Sequence, residues 1–196
     1  MCFSASFRVF PRLPCFFRAK SFARIGLIAT FAGVKTIDAY MYVEDLVLGN
    51  RLLISEQADT GELASNIRAA RAILSSFPEL TIIINPHRLV FGLKNPEYTI
   101  NNELGDRKGI MGEKGITAGF KSAKKQGCKI VVIDLDEHLF QVRPFELSKY
   151  IARRRADFIN GIITDCYVVF NGQAVRLNAR YQSRREMESH LEMLRP

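Results

Sequence analysis

The sequence predicts a mixed α/β domain with a central sheet. A pattern of amphipathic helices alternating with short β-branched runs points to this class, and so does the strongly apolar run Lys129–Leu135, which is expected to be a strand buried on both faces. The predicted order is a helix, three short strands, a helix, a strand, a helix and a C-terminal hairpin. A chain of 196 residues can bury a core of this kind and still leave roughly fifty residues over.

The first helix and the three strands are predicted from the spacing of apolar residues and from the turn residues between them. Apolar residues recur at helical spacing between Asp59 and Ser75, and Asp59 or Thr60 is expected to cap that helix. Thr81–Ile84 is β-branched and ends at Asn85-Pro86, which closes the first strand. The next two strands are predicted over 89–93 and 105–110, with broken extended alternation over 98–104.

The second half of the chain has clearer boundaries. Helices are predicted over 115–126, over 144–155 and, as a polar helix, from residue 182 onward. Gly127 is expected to form the C-cap of the first, and Pro144 to begin the second. Ile162–Phe170 and Gln173–Leu177 read as strands joined by Asn171-Gly172, a dipeptide typical of a tight hairpin turn.

The N-terminal residues differ in composition from the rest. Residues 1–31 hold seven of the fourteen Phe, no acid occurs before Asp38, and basic residues precede an apolar run over 25–34. This pattern is typical of a signal or transit-like segment, although a run of about ten residues is too short to span a bilayer. Three interpretations stay open: an export signal, a segment that touches a membrane surface through residues 1–34, and a start upstream of the real domain. The lack of a small-residue cleavage site favours the last.

The chain is therefore divided into three parts. Residues 1–50 are a basic leader whose last part, 36–49, is expected to be a helical linker. Residues 51–181 form the domain that carries the function, and residues 182–196 form the polar C-terminal helix.

Composition narrows the class of partner. The formal net charge is +8, of which the first fifty residues contribute +3, and this surplus favours a polyanion such as nucleic acid. The balance of apolar and charged residues excludes a disordered chain, a fibre and a polytopic membrane protein. The four cysteines, Cys2, Cys15, Cys128 and Cys166, show no C-x-x-C spacing. Because Cys128 opens a strongly apolar strand and Cys166 lies in another, buried free thiols are expected.

Two carboxylates and a lysine are the candidate catalytic residues. Asn95-Pro96-Glu97 is followed nine residues later by Asp106-Arg107-Lys108, on adjacent short strands. Asp106 and Lys108 are two residues apart on a strand and therefore share one face. Glu97 and Asp106 would supply hard oxygen ligands to a divalent cation, and Lys108 would orient water or stabilise charge on a phosphate. Metal-dependent cleavage of a phosphodiester requires such a set of residues, with carboxylates for the metal and a lysine for the phosphate or the water.

These residues resemble the PD-(D/E)XK nuclease superfamily. Pro96-Glu97, the nine-residue step, Asp106-x-Lys108 and the downstream Ala-Lys-Lys-Gln-Gly helix end carry the resemblance, with Glu97 standing where the superfamily usually has Asp. The stretch from about Glu62 to Leu177 is similar to the C-terminal tRNase toxin domains of contact-dependent growth-inhibition proteins. Related domains occur at the ends of phage head-morphogenesis proteins.

The resemblance implies a restriction-endonuclease-like sheet and a toxin that cleaves RNA, most of all tRNA. It also implies a cognate immunity protein, action in the cytoplasm of a cell into which the toxin is delivered, and a divalent metal such as Mg²⁺, Mn²⁺ or Zn²⁺. By the same resemblance, Glu62 would be a helix carboxylate beside the metal, and Gln126 a helper on the following helix.

Other functions stay open. A metal-independent ribonuclease of the barnase, EndoU or colicin type would move protons with polar and basic side chains, here His87, Arg88, Thr117, Lys121 and Arg176. A non-catalytic fragment of a phage or mobile-element protein belongs to a different class, and DNA cleavage differs only in substrate.

Further charged groups add to the candidate site. Basic residues in the last third are expected to contact RNA, namely Arg153, Arg154, Arg155, Arg176 and Arg180. Tyr181 and Phe158 could stack on unpaired bases. Asp134, at the end of the strongest strand, could bind metal, because strand ends often carry ligand sites.

Overall fold

Eight short strands form one continuous mixed sheet in the computed structural model, which describes residues 41–90, 92, 94–112, 114–137 and 143–194. The strands stand side by side in chain order. They are β1 (Tyr42–Asp45), β2 (Gly49–Ser55), β3 (Ile82–Ile84), β4 (Tyr98–Ile100), β5 (Glu103–Gly109), β6 (Ile130–Asp134), β7 (Asp165–Phe170) and β8 (Gln173–Asn178). Neighbours are antiparallel except at β2/β3, β5/β6 and β6/β7.

Helices cover both faces of the sheet. They are α1 (Leu63–Ser76), α2 (Lys114–Gln126), α3 (Pro144–Ala152), α4 (Arg155–Ile159) and α5 (Arg184–Leu191), which runs into a 3₁₀ turn, Glu192–Leu194. On one face, Ala69 and Ile73 of α1 pack with Ile82 and Val132 of the sheet. On the other face, Phe120 of α2 packs with Val131 and Val168, in a core that also takes in α3 to α5. The mixed α/β class predicted from the sequence is confirmed.

The central part of the chain runs helix, three-strand antiparallel meander, helix and parallel strand. α1 precedes β3–β4–β5, α2 follows, and β6 returns parallel to β5. α1 and α2 lie on opposite faces because they belong to the two separate cores. This arrangement puts the meander between the two helices, with the end of β5 beside α2.

Several sequence-predicted elements are confirmed. The apolar run around β6 is buried at every strand position, as expected for a central strand. Gly127 adopts a positive φ of 76° after α2, and Asn171 and Gly172 have positive φ values of 51° and 69° in the β7–β8 turn. The C-terminal helix α5 is capped by Ser183, whose Oγ accepts a hydrogen bond from the Glu186 backbone N–H.

The N-terminal boundary is placed differently by the structure. β1 and the first residues of β2 are a hairpin at the sheet edge, so the helical linker expected over 36–49 is wrong for residues 42–45 and 49, which are strand. Asp45 supports the turn, because its Oδ1 accepts the backbone N–H groups of Val47 and Leu48, both at 3.0 Å. The sheet thus includes β1 and the first residues of β2, which were predicted from the sequence to lie in the leader over 1–50. The apolar run over 25–34 lies outside the described residues.

The strand expected over 89–93 is also wrong. The described residues there, including Leu89 at 94% exposure, form no strand, whereas Phe91 and Leu93 lie outside the described residues. The side chain of Asn95 explains the difference: it accepts from the Arg88 N–H and donates to the Arg88 carbonyl, both at 3.0 Å. A side chain therefore pairs with this backbone, and β3 takes β4 as its partner.

Two helix boundaries and the C-terminal segment are corrected. α1 begins at Leu63 with Glu62 as N-cap residue, while Asp59 instead accepts the Gly61 N–H in the loop before it. The helix expected over 144–155 is divided into α3 and α4. α5 is not a separate polar segment, because Met187 and Leu191 are buried in the core.

Two further properties of the described residues bear on the sequence predictions. Cys128 and Cys166 are buried free thiols, as expected, and Cys2 and Cys15 lie outside the described residues. Burial raises the pKa of Cys128 to about 12, so that the thiol is inert as a nucleophile. Within the described part of the chain, we find no helix with the length and apolarity needed to cross a membrane.

Candidate active site

Glu97 and Asp106 face each other across two antiparallel strands. β4 pairs with β5 so that Tyr98 stands opposite Gly105, and the same register sets Glu97, one residue before β4, opposite Asp106. Directly opposed residues of an antiparallel pair point to the same face, so the two carboxyl groups meet there. The turn between the strands is Asn101-Asn102, both with positive φ (45° and 71°), which fixes this register.

Lys108 completes the group from the same face of β5. Its Nζ lies 3.4 Å from Asp106 Oδ1 and 3.7 Å from Glu97 Oε1. Gly119 of α2 packs directly over the lysine stem, since a Cβ at that position would lie 3.4 Å from Lys108 Cγ. The structure therefore brings the three sequence-predicted residues together at one point beneath α2.

Gln126, at the last turn of α2, also reaches this point. Its Nε2 donates a hydrogen bond to Asp106 Oδ1 at 3.1 Å. Asp106 is fully buried, and its Oδ2, like Gln126 Oε1, has no hydrogen-bond partner among the described residues. Buried oxygens without donors are costly unless something else neutralises them. A cation that binds Asp106 would neutralise its unpartnered oxygen.

The carboxyl pair has strongly perturbed electrostatics. Burial, together with the closeness and negative charge of Asp106, raises the pKa of Glu97 to about 8, against the opposing effects of Lys108 and the Arg107 N–H. Burial acts to lower the pKa of Lys108, but the charges of Glu97 and Asp106 outweigh it and raise that pKa. The raised pKa favours a protonated Glu97 beside Asp106 at neutral pH in the metal-free protein.

These residues fit a hard divalent cation. Glu97 and Asp106 supply oxygen ligands, and Asp106 Oδ2 is buried without a hydrogen-bond partner among the described residues. No group of three or more His, Cys, Asp or Glu side chains suited to a metal occurs in the part of the chain that is described. The donor set matches Mg²⁺ or Mn²⁺, which take one or two carboxylates and keep waters or substrate oxygens, better than a Zn²⁺ site with His or Cys ligands.

A cleft of about 550 Å³ opens beside the pair. Glu97, Gln126 and Glu62 line it, and Lys94 and Lys125 bring positive charge to it. The volume is in the range of ligand-binding clefts. Lys94 and Lys125 were not among the residues singled out from the sequence; the only signal was their position next to the motif and in the Lys-Lys-Gln run.

Glu62 reaches the site but is engaged by Arg107. The Arg107 side chain points to the face opposite that of Asp106 and Lys108, and its Nη2 lies 2.9 Å from Glu62 Oε2. The same buried guanidinium binds Asp134 at 3.0 Å and Glu137 at 2.7 Å. Glu62 is therefore held at the cleft by an ion pair, and its predicted place beside a metal remains a prediction.

Asp134, the last residue of β6, and Asp136, just after it, both have structural partners. Asp134, fully buried, binds both Arg107 and Arg68, which neutralise its charge. Asp136 accepts the backbone N–H groups of Asn171 and Gly172 and so supports the β7–β8 turn. Both acids therefore stabilise the fold. Asp134 was considered as a metal ligand from the sequence, but in the structure two arginines bind its carboxylate.

The predicted RNA-binding arginines are not gathered at the cleft. Arg176 binds Asp165 through two hydrogen bonds, 2.7 and 2.9 Å, on the α1 face of the sheet. The Arg153–Arg155 run is at the α3–α4 junction, on the other face. Arg180 donates to the Tyr181 hydroxyl. None of the five lines the cleft. Phe158 and Tyr181 belong to the core.

The residues proposed for a metal-independent ribonuclease are similarly dispersed. Of that set, His87 lines the cleft, whereas Thr117, Lys121 and Arg176 do not. His87 lies beyond the end of β3, two residues after Asn85, whose N–H donates to the Glu97 carbonyl at 2.9 Å.

Comparison with known proteins gives no relative. No family model matches the chain, and neither a curated protein nor a solved structure does. The function has to be argued from the site itself.

Proposed function

We propose that the domain is a metal-assisted nuclease that cleaves RNA, tRNA first of all. The observation that carries the proposal is the β4–β5 register, which sets Glu97 opposite Asp106, with Lys108 Nζ within 3.7 Å of both. Glu97 on its own has an ordinary explanation as a charge beside a turn. Asp106 is fully buried on β5, between β4 and β6, and its convergence with Glu97 and Lys108 around an unpartnered oxygen is typical of a functional site.

Glu97 and Asp106 would hold the cation, with Gln126 beside them. When bound, a divalent cation polarises the phosphate and lowers the pKa of a coordinated water. The chain's own contribution is positional: the strand pair fixes the two carboxylates, and the Gln126 hydrogen bond orients Asp106. Lys108 Nζ is placed to donate to a phosphate oxygen or to the attacking water, and so to stabilise the negative charge that develops there.

The arrangement of elements supports the same class. A helix, an antiparallel meander, a second helix on the opposite face and a parallel strand form the centre of the domain. Glu97 lies one residue before the second strand of that meander, and Asp106 and Lys108 lie on the third. We infer a restriction-endonuclease-like core on this basis, with the β1–β2 hairpin and the β7–β8 hairpin as additions at its two edges.

The substrate is proposed to enter along the basic side of the cleft. Lys94 and Lys125 line it, and both are suited to bind phosphates flanking the one that is cleaved. The five C-terminal arginines remain a prediction of wider contact with RNA. The preference for tRNA, a cognate immunity protein and action in the cytoplasm of a recipient cell are proposed on the resemblance in sequence motif alone.

Cleavage assays with defined divalent cations test this function. Purified protein is incubated with total tRNA and with single- and double-stranded DNA, in Mg²⁺ or Mn²⁺ and then with excess EDTA. We expect tRNA to be cut, DNA to be spared and EDTA to abolish cleavage. Intact tRNA with every cation would contradict the proposal, and DNA cleavage would correct its substrate.

The alternatives predict different outcomes in the same assay. A metal-independent ribonuclease, for which only His87 of the residues considered lines the cleft, would keep its activity in EDTA. A non-catalytic phage or mobile-element fragment would leave all substrates intact. Its expression would be equally harmless in the wild type and in Lys108→Ala, whereas the nuclease proposal requires toxicity that the substitution relieves.

A further inference from the structure

The cleft contains a second pair of groups that the site described above does not use. Asp59 and His87 line the same cleft as Glu97 and Gln126. His87 Nδ1 lies 3.8 Å from Asp59 Oδ2, and their side chains are 36% and 41% exposed, so that both are open to a ligand. At 3.8 Å the two groups are in ion-pair range and longer than a hydrogen bond, and a modest closure would let the carboxylate orient the imidazole, an arrangement that proton transfer in catalysis uses.

The backbone holds this pair in place from both sides. The His87 N–H donates to the Gln57 carbonyl at 2.8 Å, which joins the residues after β3 to those after β2. Asp59 is fixed by its Oδ1, which accepts the Gly61 N–H at 2.9 Å and leaves Oδ2 for the imidazole. Since Nδ1 faces Asp59, Nε2 is the ring nitrogen left for a substrate.

The pair is also fixed relative to the carboxylate site. The Asn85 N–H donates to the Glu97 carbonyl, and the Asn85 side chain donates to the Pro96 carbonyl at 3.0 Å. His87 is two residues further on, a step of about 7 Å along an extended chain. Glu97 and His87 therefore stand on neighbouring segments that line one cleft, where a phosphodiester bound at Glu97 is open to His87.

We propose that His87 is the proton donor to the leaving oxygen, oriented by Asp59. This inference rests on the proposed nuclease function and names the residue that completes it. Water forms the new P–O bond, and the scissile P–O bond breaks with its electron pair on the leaving oxygen, which takes the proton from His87 Nε2. The product phosphate releases one proton to solvent and His87 takes one back, so that the ring returns to its starting state.

A leaving group that needs no proton tests the role. The cleavage position is first mapped on tRNA with the wild type. A matched RNA hairpin is then made with sulfur in place of the leaving oxygen, because a thiolate departs unprotonated. We expect His87→Asn to lower kcat on the oxygen substrate about 100-fold, and to lower it far less, within about tenfold, on the sulfur substrate. Asp59→Asn should show the same pattern with a smaller loss.

His190→Asn provides a matched control, because the same substitution is made on α5, away from the cleft. It should leave both rates unchanged. Equal losses for His87→Asn on the two substrates, or no loss on the oxygen substrate, would overturn the role of His87 while leaving the nuclease intact. A wild-type protein that cleaves no tRNA would overturn the nuclease proposal, and this inference with it.

Discussion

The backbone N–H of Arg107 donates to Oε2 of Glu97 at 2.9 Å. The bond runs across the β4–β5 pair, and it holds the Glu97 carboxylate beside Asp106 instead of letting it turn to solvent. The Arg107 side chain meanwhile passes to the opposite face and binds Glu62, Asp134 and Glu137. One residue thereby links the proposed metal ligands to the charge cluster behind the sheet.

Glu97 should make the stability of the metal-free protein depend on pH. Its pKa is raised from 4.5 to about 8 in the folded state, so the native protein binds the extra proton between these values. The contribution of Glu97 to stability is therefore fully present below about 4.5 and is lost as pH rises toward 8, by at most about 1.4 kcal/mol per pH unit for one proton. Urea denaturation in EDTA from pH 5 to 8.5 should show this fall, and Glu97→Gln should flatten it. Parallel curves for the two proteins would contradict the shift.

Divalent cations should stabilise the protein through Asp106. Binding to the native state alone adds about 2.7 kcal/mol at a cation concentration of one hundred times Kd. We expect Mg²⁺ or Mn²⁺ to raise the Tm of the wild type and to leave that of Asp106→Asn unchanged. Glu44→Gln, which removes an exposed acid on β1, is the matched control and should respond like the wild type. An equal rise in all three proteins would place the cation elsewhere.

The cleft lysines should govern the salt dependence of tRNA binding. In the Asp106→Asn background, where cleavage is blocked, we expect Lys94→Ala and Lys125→Ala each to weaken binding. Each should also reduce the slope of log K against log salt by about 0.7–0.9. Lys114→Ala removes the lysine at the first residue of α2, which lies roughly 18 Å from Gln126, the last residue of that helix, at 1.5 Å per residue. If Lys114→Ala changed the slope as much, the RNA would not follow the cleft.

Arg107 should contribute more to stability than Arg68, although both bind Asp134. Arg107 is buried and binds three carboxylates, so Arg107→Met leaves buried charge uncompensated and should cost about 3–5 kcal/mol. Arg68 is 40% exposed, and Arg107 remains in Arg68→Met, so the cost there should be about 1 kcal/mol. Urea midpoints at pH 7 measure the two. Equal costs would show that Arg107 is not the centre of the cluster.

The predictable part of the site is the part that short-range periodicity determines. Asp106 and Lys108 share a face because strand side chains alternate, and Glu97 joins them because a tight turn joins β4 to β5. The buried strand β6 and the Asn171-Gly172 turn were predictable for the same reason. In each case the signal lies within a few residues of the structure that it specifies.

The rest depends on contacts between distant residues. The Arg107 cluster joins Glu62, Asp134 and Glu137 from separate elements, and nothing in the local sequence of any of them indicates the others. The apolar residues at 89–90 were misleading, because apolar runs also occur on exposed loops when a side chain such as Asn95 pairs with the backbone. Residues 42–55 were read as partly linker, since their strand pattern is short and only their pairing with β3 builds them into the sheet.

The most direct test is single-turnover cleavage of tRNA by the wild type, Lys108→Ala and Lys114→Ala, in Mg²⁺ and with folding checked by circular dichroism. The account predicts that Lys108→Ala lowers the rate about 100-fold or more, the scale for loss of one donor to developing charge, while Lys114→Ala cleaves like the wild type. All cleavage should stop in EDTA. A Lys108→Ala protein as fast as the wild type, or a wild-type rate that EDTA does not change, would contradict the central claim that Glu97, Asp106 and Lys108 form a metal-assisted nuclease site.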